Sequence, residues 1–214
     1  MDDRELSRLT HLLGHELLTP LSGVAMLLTS LRQKGGNRPG DPIHQALDAT
    51  QRAVAVTRGF VAFFDAIPAP APREPVDLAD LLKEVRAGFR DHDIALQQPL
   101  PSVVSSALVL RRVFNSLIDN AVRYTLDSLP KITVGAEREL GAWRVDVADR
   151  GVGMSVADCT RVLHPMTRLH PYELVPGAGF SLATAVRLLA SVGARIALRP
   201  RDGGGTVASV SLPA

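Results

Sequence analysis

The sequence has a single cysteine, Cys159, among its 214 residues. One cysteine can form neither a disulfide within the chain nor a metal cluster held by cysteines, which is typical of proteins of the reducing cytosol. Long apolar runs are also lacking, since no stretch approaches the roughly 18 residues that a membrane span needs, and the first residues are acidic. We therefore predict neither a signal peptide nor a membrane segment in this chain, and a cytoplasmic location.

An excess of charge of one sign is missing as well. The sequence has 24 basic and 22 acidic residues, for a formal charge of +2, and the two kinds are interleaved along the chain instead of gathering into a basic stripe. A nucleic-acid partner is therefore not indicated. Apolar residues make up 46% of the sequence and charged residues 21%, which suits one large or two small globular domains.

The first third of the chain has the leucine spacing of long helices. Apolar residues recur at steps of three and four from residue 6 to residue 31, which predicts a helix over residues 3 to about 34. A cluster of glycine, asparagine and proline ends it, and a heptad seam then predicts a second helix over residues 42 to about 64. Because two narrow apolar stripes cannot enclose a core alone, we predict a homodimer in which residues 1–66 form an antiparallel helical hairpin within a four-helix bundle.

Prolines at four positions between residues 67 and 75 predict an extended, semi-rigid linker and a domain boundary. Beyond this linker, residues 76–214 alternate between helical and strand patterns. Helices are predicted over residues 76–89, 107–124 and 180–192, and strands over residues 131–136, 143–148, 195–199 and 206–212. This order predicts an α/β sandwich of one mixed sheet backed by helices, so that the whole chain has an α+β fold.

A histidine motif lies on the first predicted helix. The segment from His15 to Leu21 reads His-Glu-Leu-Leu-Thr-Pro-Leu. Because His15 is two residues from both Leu13 and Leu17, its ring is predicted to point away from the apolar stripe. A lone histidine of this kind is usually an ordinary surface residue. The segment, however, resembles the phosphoacceptor box of sensor histidine kinases, His-Glu-Leu-basic-Thr-Pro-Leu, with Leu18 at the basic position.

A polar helix end is predicted from Asn120 to Thr125, where the sequence reads Asn-Ala-Val-Arg-Tyr-Thr. It resembles the asparagine box of the same kinases. The resemblance implies that Asn120 holds Mg²⁺ against nucleotide phosphates through its amide oxygen, that Arg123 replaces a phosphate-facing lysine, and that Tyr124 lines the pocket. Ser116 stands where the family usually has a further asparagine.

The segment from Asp149 to Gly153 reads Asp-Arg-Gly-Val-Gly and directly follows an apolar strand. By itself this pattern is an ordinary turn at a strand end. It also resembles the Asp-x-Gly-x-Gly box of the family, which implies that the Asp149 carboxylate accepts a hydrogen bond from the adenine amino group. Gly151 and Gly153 would let the backbone turn sharply and approach the nucleotide.

A third glycine pattern opens the last predicted helix. Gly177 and Gly179 precede Phe180 and Ser181, where helix amides and the positive end of the helix dipole can meet phosphate. The segment resembles the Gly-x-Gly-Leu-Gly-Leu box of the family, with Ser181 in place of a glycine. Between the two glycine boxes, Arg168 keeps the position of a basic residue typical of these kinases.

The resemblance covers nearly the whole chain and implies a dimerisation and phosphoacceptor domain at residues 1–66, followed by a Bergerat-type ATP-binding domain at residues 76–214. It implies a histidine kinase that uses ATP and Mg²⁺ to phosphorylate His15 and then transfers the phosphoryl group to an aspartate of a response regulator receiver domain. Glu16 would fix the ring tautomer of His15, and Thr19 would orient a water for the reverse dephosphorylation. Such a chain is either the cytoplasmic portion of a longer sensor protein or a short family member.

Other functions remain open at the level of sequence. A histidine phosphotransferase of similar architecture would keep His15 and the dimeric helices but bind no nucleotide. A degenerate kinase could act as a scaffold or inhibitor through its helical surface. An ATPase of the chaperone or mismatch-repair type is disfavoured by the phosphoacceptor-like helix.

Overall fold

The structure is a computed structural model that describes residues 3–35, 42–66, 72–125, 131–170 and 177–213, with the backbone alone for residues 3–16, 34 and 35. Helix α1 spans Asp3–Gly35 and helix α2 spans Pro42–Phe64, in agreement with the two helices that the apolar periodicity predicts. The two helices pack against each other along their length, so that they form a hairpin. Among the described residues, no helix combines the length and the apolarity needed to cross a bilayer.

The residues described beyond the linker contain two sheets. Strand β1 (Glu74–Asp77) pairs antiparallel with β3 (Ser102–Ser105) in a small two-stranded sheet. The larger sheet contains β2 (Asp93–Leu96), β4 (Lys131–Glu139), β5 (Ala142–Ala148), β6 (Arg195–Pro200) and β7 (Thr206–Pro213), in the order β2-β4-β5-β7-β6. Among the described strands of this sheet, only the β2–β4 pair is parallel. The larger sheet is therefore mixed, as the sequence predicts.

In the described part of this half, four helices accompany the sheets: α3 (Leu78–Ala87), α4 (Ala107–Arg123), α5 (Val156–Arg161) and α6 (Ser181–Ser191). Helix α4 is amphipathic, and its buried face carries Val109, Leu110, Val113, Phe114, Leu117, Ile118 and Ala121. Each large apolar side chain of that face contributes about 1.5–3 kcal/mol through burial. These residues join buried residues of the sheet and of α3 and α6 in one core, which fixes the end of α4 next to the strand ends.

The beginning of this half differs from the prediction. A helix was expected from residue 76, but β1 occupies residues 74–77 and α3 begins at Leu78. Asp77 ends the strand and caps the helix, because its Oδ1 accepts from the backbone N–H groups of Ala79 at 2.8 Å and Asp80 at 3.1 Å. Two residues assigned to the linker, 74 and 75, thus lie in a strand, while linker residues 67–71 lie outside the described residues.

Candidate functional site

A cavity of about 610 Å³ opens between α4, α6, the ends of β5 and β7, and α2. Eight of the residues that the sequence motifs single out line it, although they come from four separate segments of the chain: Asn120, Arg123, Tyr124, Asp149, Gly153, Arg168, Gly177 and Gly179. A concave cavity with a few converging polar groups is the usual form of a small-molecule site. The cavity is therefore the candidate functional site.

Asp149 lies directly after β5 and is held by the backbone around it. Its Oδ1 accepts from the N–H of Gly151 at 2.8 Å and from the N–H of Thr206 at 3.0 Å. Its backbone carbonyl accepts from Arg201 Nη1 at 2.8 Å. None of the described residues donates a hydrogen bond to Oδ2. One oxygen is thus fixed by the protein, and the other is left to a ligand that can donate a hydrogen bond.

The glycines around Asp149 are required by close backbone contacts. A Cβ at Gly205, whose φ is +98°, would lie 2.2 Å from the Asp149 carbonyl oxygen, and a Cβ at Gly151 would lie 2.4 Å from the Tyr124 carbonyl oxygen. Any side chain at either position would force the backbone apart. The sequence motifs include Gly151 but not Gly205, Thr206 or Arg201. The run of three glycines before Thr206 is the signal that could have pointed to a tight contact there.

Burial raises the pKa of Asp149 above the ordinary value of an aspartate, because it disfavours the charged form. Hydrogen bonds from the backbone of Gly151 and Thr206 oppose this shift, and so does the positive charge of Arg201. Since burial is the largest of these effects, the carboxylate takes up a proton at a higher pH than an aspartate in water does.

This shift leads to a prediction for binding of a ligand that donates to Asp149. Only the ionised carboxylate accepts on both oxygens, so affinity for an adenine nucleotide should fall as the pH is lowered through the raised pKa of Asp149. We expect the loss to begin at a higher pH than the usual pKa of aspartate, about 3.9, would give. Calorimetric titration with the nucleotide at a series of pH values measures it.

The control for this pH profile is Asp149→Asn, which has no titrating group at that position. Any pH dependence that remains in the variant belongs to the phosphates of the nucleotide and to other residues. Parallel affinity profiles for the parent and the variant would contradict the assignment of the titration to Asp149.

The amide of Asn120 lies at the end of α4 and faces two serines. Ser181 Oγ lies 2.8 Å from Asn120 Nδ2 and 3.0 Å from Asn120 Oδ1, and Ser116 Oγ lies 3.4 Å from Ser181 Oγ. No group of three histidine, cysteine, aspartate or glutamate residues suited to a metal occurs in the described part of the chain. The amide oxygen of Asn120 is a hard ligand at the cavity, and it fits Mg²⁺ because this cation is usually bound through few protein oxygens together with phosphates and water.

Arg123 is the nearest cation to this amide along the chain. Its Nε lies 2.7 Å from Asp119 Oδ2, one turn earlier on α4, and both side chains are about half exposed. A surface pair of this kind contributes little to stability. Arg123 also lines the cavity, where its positive charge can face an anionic ligand.

Arg168 contacts the residues on either side of segment 171–176, and the segment itself lies outside the described residues. Its guanidinium donates to the carbonyl oxygens of His170 and Gly177. The ring of His170 lies 5.7 Å from that of Tyr124 between centroids. Arg168 is thus a structural support at the rim of the cavity, and the two rings form part of its wall.

Helix α2 forms one wall of the cavity through Ala55, Gly59 and Ala62. A Cβ at Gly59 would lie 2.6 Å from Phe180 Cδ2, so the helix approaches the glycine segment closely. The ring of Phe63 lies 5.9 Å from that of Phe180, and Arg187 lies 4.6 Å above the Phe63 ring. No sequence motif indicated that the hairpin contributes to the cavity.

The three residues predicted on α1 stand apart from this set. His15 and Glu16 lie within α1, but their side chains lie outside the part of the chain that the structure describes. Thr19 is exposed on the same helix. None of the α1 residues with described side chains lines the cavity. The described part of the cavity therefore combines eight of the nine residues predicted for nucleotide binding, all except Gly151, but none of those predicted for the phosphoacceptor.

A family profile described as "Histidine kinase-, DNA gyrase B-, and HSP90-like ATPase" matches residues 106–214. The matched range begins just before α4 and extends to the end of the chain, and it contains every cavity residue outside α2. The match therefore covers the part of the molecule in which Asn120, Asp149 and the glycine segments lie.

Several known proteins are similar to nearly the whole chain. Cyanobacterial phytochrome A of Nostoc sp. is 24% identical over 98% of this chain and 28% of its own length. Sensor protein CutS of Streptomyces coelicolor is 26% identical over 94% of this chain and 51% of its own length. Sensor histidine kinase AruS of Pseudomonas aeruginosa is 27% identical over 95% of this chain and 22% of its own length. The chain thus spans about half or less of these relatives.

Solved structures that share the fold include two that cover both halves of the chain. Full-length ShkA in complex with AMPPNP superposes with a TM-score of 0.67 at 23% identity, over 96% of this chain and 45% of that chain. The Acinetobacter baumannii histidine kinase AdeS superposes with a TM-score of 0.63 at 19% identity, over 93% of this chain and 97% of that chain. At these identities the likeness concerns the fold, and it includes the helical hairpin as well as the sheet.

Proposed function

Because the chain belongs to the family of histidine kinase-, DNA gyrase B- and HSP90-like ATPases, we propose that it is a catalytic core of a sensor histidine kinase, which binds ATP in the cavity and phosphorylates its own His15. The observation that carries this proposal is the arrangement of Asp149. Its carboxylate is partly buried, fixed through one oxygen by two backbone N–H groups, and located in the same cavity as the Asn120 amide. The structural relative ShkA was solved with AMPPNP, an ATP analogue.

In the proposed binding mode, the adenine amino group donates to Asp149 and the phosphates extend toward Asn120 and Arg123. The first backbone N–H groups of α6 are also available to the phosphates, because they have no partner within the helix. Mg²⁺, held through the Asn120 amide oxygen, would neutralise phosphate charge. The chain itself supplies position and positive charge, which is most of what phosphoryl transfer needs.

The proposed reaction forms a bond between a ring nitrogen of neutral His15 and the γ-phosphorus, and it breaks the bond from that phosphorus to the bridging oxygen of ADP. Glu16 accepts the hydrogen bond from the second ring nitrogen, which holds the reactive tautomer and stabilises the imidazolium that develops. The phosphoryl group then passes to an aspartate of a response regulator. Leu18 and Ser22 belong to the surface proposed to receive that partner, and Thr19 is proposed to orient a water for dephosphorylation.

Incubation of the protein with γ-labelled ATP and Mg²⁺ tests the proposed function. We expect label on the protein that is lost in acid and kept in base, as phosphohistidine requires. Absence of label together with absence of nucleotide binding would instead favour a phosphotransferase or scaffold. That outcome would trace to the positions where the nucleotide pattern departs from the family, which are Ser116, Leu163, Met166 and Ser181.

We also propose that residues 1–66 form a homodimer. Three residues of α1 at a spacing of seven, Leu17, Val24 and Leu31, expose 51%, 45% and 51% of their surface. This row is the part of the apolar stripe that the hairpin leaves uncovered, and a second copy of the hairpin would cover it as a four-helix bundle. Size-exclusion chromatography with light scattering is expected to give the dimer mass at micromolar concentration.

A matched pair of variants locates the interface. Val24→Glu combined with Leu31→Glu places two charges in the row and should yield monomers. Met26→Glu is the control, because Met26 exposes 72% of its surface but lies about 200° around the helix from Val24. A monomeric parent, or equal masses for the double variant and the parent, would refute the proposed interface.

A further inference from the structure

Two positions where the nucleotide motifs depart from the family pattern touch each other in the cavity. Ser116 stands where an asparagine is usual, and Ser181 stands where a glycine is usual. They are 65 residues apart in sequence, yet their Oγ atoms lie 3.4 Å apart. A shorter side chain at position 116 is thus matched by a longer one at position 181, so that the space beside Asn120 is filled from α6 instead of α4.

Ser181 contacts both ends of the Asn120 amide. Its Oγ lies 2.8 Å from Nδ2 and 3.0 Å from Oδ1. A hydroxyl can accept from the amide nitrogen and donate to the amide oxygen, and contact with both atoms limits rotation of the amide. The amide oxygen keeps a second lone pair, which remains available to a cation.

We propose that Ser181 is a positioning residue that orients the Asn120 amide toward the divalent cation accompanying the nucleotide. The inference rests on the proposed ATP-binding function and adds a role for a residue that the motifs count only as a departure. Without the hydroxyl, the amide can rotate, and its oxygen can turn away from the cation. Loss of a partner that orients a metal ligand commonly lowers metal affinity about 10-fold to 100-fold.

The alternative is that Ser181 merely packs at the start of α6. Ser181 is the first residue of that helix, and no side chain caps the helix there. A packing role would affect the folded state as a whole, and with it nucleotide binding both with and without the cation. A positioning role affects only the binding that depends on the cation. The two roles therefore separate in a cation titration.

The experiment uses the full chain and a fluorescent ATP analogue. The dissociation constant is measured in EDTA, and the Mg²⁺ concentration at half-maximal enhancement of binding is measured at a fixed analogue concentration. Ser181→Ala should raise that Mg²⁺ midpoint about 10-fold while leaving the dissociation constant in EDTA unchanged. Ser181→Thr, which keeps the hydroxyl, should retain the midpoint of the parent. Ser191→Ala, at the other end of α6, is the control and should change neither quantity.

The outcomes separate the inference from the proposed function. An unchanged Mg²⁺ midpoint in Ser181→Ala, in a parent that binds the analogue, overturns the positioning role and leaves the proposed function standing. Equal weakening with and without Mg²⁺ also overturns it, in favour of packing. A parent that binds no nucleotide under either condition refutes the proposed function, and the inference falls with it.

Discussion

Asp149→Asn is expected to weaken ATP binding about 100-fold, because a hydrogen bond to a charged group contributes up to about 3 kcal/mol. The substitution is nearly isosteric. The amide oxygen of the variant can still accept from the backbone N–H groups of Gly151 and Thr206, which now hold Oδ1 of the carboxylate. The amide nitrogen then occupies the position of Oδ2 and meets the adenine amino group donor to donor. The change therefore removes recognition of the base while it keeps the turn.

The same substitution should alter the choice of base. A guanine nucleotide presents a carbonyl oxygen where adenine has its amino group, so the parent carboxylate repels it and the variant amide can donate to it. We expect the preference of the protein for ATP over GTP to fall in Asp149→Asn, with affinity for GTP rising relative to that for ATP. Titration calorimetry with both nucleotides measures the ratio, which does not depend on the fraction of active protein.

Asp80→Asn is a suitable control for these titrations. Asp80 lies on α3 and forms an exposed ion pair with Lys83, and it does not line the cavity. The variant therefore carries the same change of charge without a change at the site. An unchanged affinity for ATP in Asp149→Asn, or an unchanged preference between the two nucleotides, would show that adenine does not bind at this carboxylate.

The sequence predicts the long helices well because many residues repeat one signal. The bounds of α1 and α2 agree with prediction to within one residue, and α4 ends one residue before the expected position. The short elements were not predicted. Strands β2 and β3 have four residues each and α5 has six, which is too few for a period to stand out from chance. Strand β1 was not predicted either, because the prolines before and within it indicated a linker.

The residues of the candidate site likewise fall into those that the sequence could predict and those that it could not. Motif residues such as Asn120 and Asp149 could be found because a local pattern marks them, and the fold brings them to one cavity. Arg201 and Thr206 support Asp149 from a distance of more than 50 residues in sequence. The three glycines before Thr206 could indicate a tight backbone contact, but no local pattern could show that the contact is with Asp149. The sequence also gives no sign that Gly59 on α2 lies close to Phe180, because this contact forms only when the helix packs against the rest of the molecule.

The contact between α2 and α6 has a consequence for the proposed reaction. Phe60 and Phe63 of the hairpin pack on Phe180, the residue just before Ser181, and α2 lines the cavity beside them. The proposed nucleotide site thus lies against α2. Helix α2 in turn packs on α1, and α1 carries His15. Phosphoryl transfer requires the γ-phosphorus of ATP and the ring nitrogen of His15 to lie within roughly 3–3.5 Å of each other. A packing of α2 on Phe180 that keeps these two atoms farther apart has to rearrange before transfer.

His15→Ala is expected to abolish incorporation of label from γ-labelled ATP, because alanine has no nitrogen to form the bond to phosphorus. Alanine is the best helix former, and the position is predicted to face away from the apolar stripe, so the fold should be retained. Affinity for ATP should equal that of the parent, because none of the residues assigned to nucleotide binding lies on α1. The two measurements together separate loss of the phosphoacceptor from loss of the nucleotide site.

His11→Ala is the matched control for this experiment. His11 lies one turn earlier on the same helix, and no motif includes it, so the variant should take up as much label as the parent. Asp149→Asn supplies the converse case, in which His15 is present but ATP binding is weak and label should fall at low ATP concentration. Full acid-labile labelling of His15→Ala would place the phosphoacceptor elsewhere and would refute the assignment of this histidine.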